Sequence, residues 1–127
     1  MLNATDRRRV LVVDDDRTIA DTLVMILQKK EFDVRVAYSG EEAAQAALTF
    51  KPDAMIADVI MGPMDGVALA VYLAQSLPAC KVLLVSGHMA AAQLLEESRT
   101  RGYDFELLAK PVHPDRILEF LIRPAHA

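Results

Sequence analysis

Four short apolar runs in this sequence stop on a residue that can do chemistry. VLVV ends in Asp14, Asp15 and Asp16, AMIA ends in Asp58, VLLV ends in Ser86, and LLA ends in Lys110 just before Pro111. A carboxylate can attack phosphorus and hold the phosphoryl group as an acyl phosphate. Such transfer asks for little beyond positioning and positive charge around the equatorial oxygens. Here the acids would seat a cation, the serine would donate a hydroxyl, and the lysine would fix an ammonium. Two carboxylates about 4 Å apart repel by about 4 kcal/mol at an effective dielectric near 20, so clustered acids ask for a cation. Few carboxylates completed by a carbonyl and waters suit Mg²⁺, which prefers octahedral oxygen ligands and a phosphate partner.

This chemistry requires the runs to end at one edge of one sheet. Val10 to Val13, Ala54 to Ala57 and Val82 to Val85 are continuously apolar, as strands covered on both faces are. Val34 and Val36 alternate around Arg35, and Phe105 to Ala109 carries Glu106, both patterns of edge strands. Helical patterns lie between them. Asp16 is placed to cap a helix whose stripe is Ile19, Leu23, Ile26 and Leu27. Ser39 with Glu42 forms a capping box before a helix presenting Ala43, Ala46, Ala47 and Phe50. Asp65 opens a third helix, with Leu69, Tyr72 and Leu73 inward, which Pro78 closes. A fourth turns Ala91, Leu94 and Leu95 inward and stops near Gly102, and a fifth begins at Pro114 with Ile117, Leu118, Leu121 and Ile122 facing in.

Five alternations of strand and helix predict an α/β, flavodoxin-like (βα)5 three-layer sandwich with a parallel five-stranded sheet of order 2-1-3-4-5. In such a sheet the ligand crevice lies at the switch point between strands 1 and 3. Those are the strands that end in Asp14, Asp15 and Asp58.

The totals narrow the function classes. A chain of 127 residues fits one domain, and a net charge of -4 argues against a basic nucleic-acid footprint. Arg7 to Arg9 is a solvated lead-in to the first strand. Cys80 is the single cysteine, so no internal disulfide is expected; a reducing, cytoplasmic setting and a buried, inert thiol are. No signal peptide or membrane span is read. His88, His113 and His126 lack metal-ligand spacing.

Together VLVVDDD, Asp58 with MDG behind it, VLLVSGH and LAKP resemble the receiver domain of bacterial two-component response regulators, over nearly the whole chain. The resemblance implies Mg²⁺ at Asp14 and Asp15, with Asp58 as phosphoacceptor and the Ile60 carbonyl completing the metal site. It implies phosphate contacts from Ser86 and Lys110, a cis Lys110-Pro111 bond, and no further cofactor. It also implies a signalling module rather than an enzyme. A sensor histidine kinase or phosphotransfer protein would be the donor, and a downstream protein target would read the face of helix 4, strand 5 and helix 5. Residues 1–127 would form one domain, with 1–8 a flexible lead-in and 124–127 a tail, acting as a monomer or weak dimer without nucleic acid or membrane. With no further segment after Pro124, output would pass through a partner.

Three positions depart from the family pattern. Gly62 stands where proline is usual, with Pro63 one place later, which implies a reshaped loop. Gly87 replaces a common alanine after the hydroxyl, and Leu107 occupies the place of the usual aromatic switch residue.

Other readings compete. Alone, Asp58 would be a loop acid, Lys110 a surface charge, and Ser86 a cap for the fourth helix. Asp14 to Thr18 also fits the D-x-D-x-T of haloacid-dehalogenase-type phosphatases, with Asp14 as nucleophile and Asp16 as acid/base. That reading leaves Asp58 unexplained. A receiver-like binding module that signals without phosphate is a third possibility. A flavin carrier is least favoured, because three acids would repel a phosphate in the first loop.

Overall fold

A computed structural model describes residues 7–123. Its elements are β1 (Arg9–Val13), α1 (Arg17–Lys29), β2 (Asp33–Ala37), α2 (Gly40–Phe50), β3 (Ala54–Asp58), α3 (Gly66–Ser76), β4 (Lys81–Ser86), α4 (Ala90–Thr100), β5 (Glu106–Ala109) and α5 (Pro114–Ile122). The strands are parallel in the order β2-β1-β3-β4-β5, as expected from the two polar-marked edges. The expected tail, His126 and most of the expected lead-in lie outside the described residues. Arg8 is tied down, since its carbonyl accepts the Asp33 N–H at 2.9 Å and its guanidinium donates to the Leu121 carbonyl.

The period of two along each strand divides the core. Leu11, Val13, Met55, Ala57 and Leu84 face α2, α3 and α4, whose Ala43, Leu69, Leu73 and Leu95 cover them. Val10, Val12, Ile56, Leu83 and Val85 face α1 and α5, under Ala20, Leu27, Ile117 and Phe120. Burying each large aliphatic side chain contributes about 1.5–3 kcal/mol. Among these, Leu11, Leu83 and Leu84 are fully buried.

The helix starts follow their caps. Asp16 accepts from the Thr18 and Ile19 amides, and Asp65 accepts from Ala68. Ser39 accepts from Glu42, so the first half of the expected capping box forms. His113 Nδ1 accepts from Asp115 at the start of α5, a cap the sequence reading did not assign. Two stripe assignments differ. Ile19 is 45% exposed and Ile122 is 71% exposed, while Ala20 and Phe120 take the inward places. Each helix is rotated slightly from the stripe drawn on it, because a small alanine lets α1 approach the sheet and a large aromatic anchors α5.

Candidate functional site

Strand alternation carries past the strand ends and decides which side chains meet. Asp14 continues the phase of Val10 and Val12, Asp58 that of Ala54 and Ile56, and Lys110 that of Leu108, so all three belong to the α1/α5 face. Lys110 Nζ lies 3.0 Å from Asp14 Oδ2 and 3.5 Å from Asp58 Oδ1. Asp14, Asp15 and Asp58 each offer a carboxylate oxygen within 4.8 Å of the others. Asp14 and Asp58 are buried and Asp15 is exposed, so the cluster has a closed floor and one open side.

The three consecutive acids do three different things. Asp14 Oδ1 accepts the Asp16 amide at 2.9 Å while its Oδ2 takes Lys110, so both oxygens are engaged. Asp16 Oδ1 is turned to the α1 amides at 3.0 and 3.2 Å. That is the capping role, and it removes Asp16 from the acid/base place that the phosphatase reading needs. Asp15 makes no hydrogen bond within the described residues and stays available.

Ser86 ends β4 buried, one place beyond Val85, the register partner of Asp58. Its Oγ accepts the His88 amide at 3.0 Å, and its carbonyl accepts the Lys110 amide at 2.9 Å. The cap assigned to it as a bland alternative is not formed, because α4 starts at Ala90 behind Met89 without a side-chain cap. Ser86 instead ties the β4 end to the residue that carries the ammonium. Lys110-Pro111 is cis.

Beyond Asp58 the chain turns tightly. Gly66 N–H donates to the Val59 carbonyl at 2.7 Å, and a Cβ at Gly66 would stand 2.2 Å from the Asp58 carbonyl oxygen. Only glycine permits that approach. Ile60, half-buried, lies inside this turn. The Gly62-Pro63 shift leaves Gly62 in open space, while Met64 is seated on α2, where a Cβ at Gly40 would stand 2.7 Å from the Met64 carbonyl oxygen. The loop takes its support from α2.

Burial pushes the Asp58 carboxyl up; Lys110 opposes this, and Asp14 and Asp15 add to it. For Lys110, burial favours loss of the proton. The hydrogen bond to Asp14 and the charges of Asp58 and Asp14 outweigh it and hold the ammonium above its ordinary value. Asp58 Oδ1 is buried and has no hydrogen-bond partner of normal geometry among the described residues, with Lys110 Nζ 3.5 Å away as its ion-pair partner. An unpartnered buried carboxylate oxygen beside two further carboxylates is a donor set that fits a hard divalent ion.

A groove of about 510 Å³ opens beside Asp14 and Lys110 and runs between α1 and the start of α5. Leu23, Ile26, Ile56, Val85 and Ile117 line it, with the exposed Ile19 at its rim. On the opposite face Leu107 and Phe105 pack, partly buried, against the core of that side, while Tyr103 and Phe105 stack with centroids 5.9 Å apart. Burial pushes the Cys80 thiol up to about 12, in keeping with an inert group. The sequence reading passed over Arg17, Asp21 and Tyr38, which meet beside the acid loop. The available signal was that Tyr38 follows the second strand, which the 2-1-3-4-5 order sets next to Asp14.

Comparison with known proteins agrees with this geometry. The response regulator receiver domain model matches residues 10–122. A response regulator receiver protein from Anaeromyxobacter sp. strain Fw109-5 is 35% identical over 112 residues, covering 88% of this chain and 46% of that protein. The chain thus spans about half the length of that curated relative. The chemotaxis protein CheY of Thermotoga maritima is 30% identical over 115 residues, covering 90% of this chain and 94% of that protein. A response regulator from Burkholderia pseudomallei, solved with a phosphorylated aspartic acid, calcium ion and citrate, superposes with TM-score 0.78 at 27% identity, covering 94% of this chain and 69% of that one. With its sheet order, its acid crevice and this match across residues 10–122, the chain belongs to the response regulator receiver domain family.

Proposed function

We propose that Asp58 accepts a phosphoryl group from a phosphohistidine on a partner protein, with Mg²⁺ held by Asp14, Asp15, Asp58 and the Ile60 carbonyl. The observation that carries this reading is the buried Asp58 Oδ1, without a hydrogen-bond partner of normal geometry among the described residues and 3.5 Å from Lys110 Nζ. A carboxylate oxygen of Asp58 forms the new O–P bond as the P–N bond to the donor imidazole breaks, and the imidazole keeps the electron pair and takes up a proton. Bound Mg²⁺ supplies positive charge for the phosphoryl oxygens and relieves the acid cluster. Lys110 contributes its fixed ammonium to the same oxygens, and the Ser86 hydroxyl donates to one of them. Burial and the neighbouring acids favour the protonated Asp58 carboxyl, so a cation in the crevice would serve to keep it ionised for attack.

The donor is a sensor histidine kinase or a phosphotransfer protein. The apolar groove beside Asp14 and Lys110 supports docking of such a protein, because whatever presents the phosphohistidine must rest at this mouth. The added charge on Asp58 alters the α4 face through Ser86 and Lys110, whose backbones are hydrogen-bonded to each other. With Leu107 in place of an aromatic, that change passes through the aliphatic core against which Leu107 packs. No helix among the described residues is long and apolar enough to cross a membrane.

Incubation with Mg²⁺ and acetyl phosphate followed by intact mass tests the proposal. One phosphate adduct is expected on the parent and none on Asp58→Asn. An adduct that survives in Asp58→Asn would overturn it.

A further inference from the structure

We propose that Tyr38 is a positioning residue for the cation site, acting as a platform that keeps the Arg17 guanidinium off the acids of the β1–α1 loop. The inference rests on the reading of the crevice as a cation site.

Arg17 follows Asp14, Asp15 and Asp16 directly and opens α1. An arginine in that place would ordinarily fold back on the nearest carboxylates and compete with a metal ion for them. Here its guanidinium carbon lies 3.9 Å from the centroid of the Tyr38 ring, and among the described residues no carboxylate comes within ion-pair distance of it. The ring is anchored on both sides. Tyr38 follows Ala37, whose carbonyl accepts the Asp14 N–H at 3.2 Å, and its hydroxyl donates to Asp21 Oδ1 at 2.6 Å, one turn along α1. Its hydroxyl is correspondingly harder to ionise, chiefly through that hydrogen bond.

The consequence concerns Asp15. Asp16 is occupied by the α1 amides and Asp14 by Lys110 and the Asp16 amide, so Asp15 is the acid left without a hydrogen-bond partner in the described residues. It is exposed and two positions from Arg17. Without the ring, Arg17 is released beside two unengaged acids, Asp15 two positions before it and Asp21 one turn along α1, and its pairing with Asp15 competes with a cation. An exposed ion pair of this kind would weaken a competing cation by on the order of two- to five-fold.

The test is Mg²⁺ affinity of the full chain, read from amide shifts of residues 14 to 19 in NMR titrations, with thermal unfolding to verify folding. Tyr38→Ala is expected to bind Mg²⁺ two- to five-fold more weakly. Tyr38→Phe, which keeps the ring face and loses the hydroxyl, binds like the parent. Arg17→Ala binds at least as well as the parent, and the Tyr38→Ala/Arg17→Ala double variant returns to the Arg17→Ala value. Parental affinity in Tyr38→Ala, or a double variant as weak as Tyr38→Ala, overturns the platform role and leaves the cation site standing. A parent without saturable Mg²⁺ binding sensitive to Asp15→Asn removes the cation site and the platform with it.

Discussion

In the metal-free chain Asp58→Asn should stabilise the fold at neutral pH, although it deletes a charge lying 3.5 Å from a lysine. The magnitude follows from the crevice. At an effective dielectric near 20, the attraction of Lys110 at 3.5 Å contributes about 4.7 kcal/mol. Repulsion from Asp14 and from Asp15, each within 4.8 Å, costs about 3.5 kcal/mol apiece. Repulsion wins by about 2 kcal/mol, and water around the exposed Asp15 trims the net to about 1 kcal/mol. For a domain of this size that is a rise of about 4 °C in the unfolding midpoint. The pH dependence has a definite sign. Burial raises the folded pKa of Asp58, so its contribution is most stabilising below the unfolded value of 3.8 and is lost as pH rises through the folded value. The advantage of the variant is therefore present near pH 7 and shrinks toward zero as the solution is acidified. Added Mg²⁺ reverses the order, because the parent has three carboxylates to offer and the variant two. Scanning calorimetry with EDTA at neutral and acidic pH, then with Mg²⁺, reads all three effects. A variant less stable than the parent at pH 7 without metal, or an advantage that persists unchanged in acid, would refute the electrostatic account of the crevice.

Lys110→Ala leaves Asp14 and Asp58 without their shared cation, and the metal-free chain should lose about 2–3 kcal/mol in urea unfolding, part of it recovered with Mg²⁺. Gly66→Ala, whose Cβ would stand 2.2 Å from the Asp58 carbonyl oxygen, should cost about 3 kcal/mol and disturb Mg²⁺ binding. Gly87→Ala meets only Lys110 Cβ at 3.7 Å and should stay within about 0.5 kcal/mol of the parent by the same unfolding measurement. Ile19→Glu at the groove rim should slow phosphorylation by a histidine-phosphorylated donor protein at least ten-fold and leave phosphorylation by acetyl phosphate unchanged, as rates by phosphate-affinity gel would record.

The sheet was legible because its strands differ in polarity: continuous apolar runs mark β1, β3 and β4 as central, and Arg35 and Glu106 mark β2 and β5 as edges. The crevice followed from the same pattern, since a period of two carried past the strand ends puts Asp14, Asp58 and Lys110 on one face. Helix rotation was less legible. Ile19 and Ala20 are equally good occupants of an inward place by periodicity, and only the closeness of α1 to the sheet favours the smaller one. Phe120 and Ile122 exchanged places for the reverse reason, a large ring filling the space under α5. The seating of Met64 on Gly40 and of Arg17 on Tyr38 joins residues distant in sequence through surfaces that no periodicity encodes.

The most direct measurement is chemical trapping of the acyl phosphate. The chain is phosphorylated with acetyl phosphate and Mg²⁺, reduced with borohydride so that an aspartyl phosphate becomes homoserine, and mapped by peptide sequencing. Homoserine at position 58 and at no other aspartate is the expected result. Homoserine at position 14, or no reduction product from a chain that binds Mg²⁺, would contradict the assignment of Asp58 as the phosphoryl acceptor.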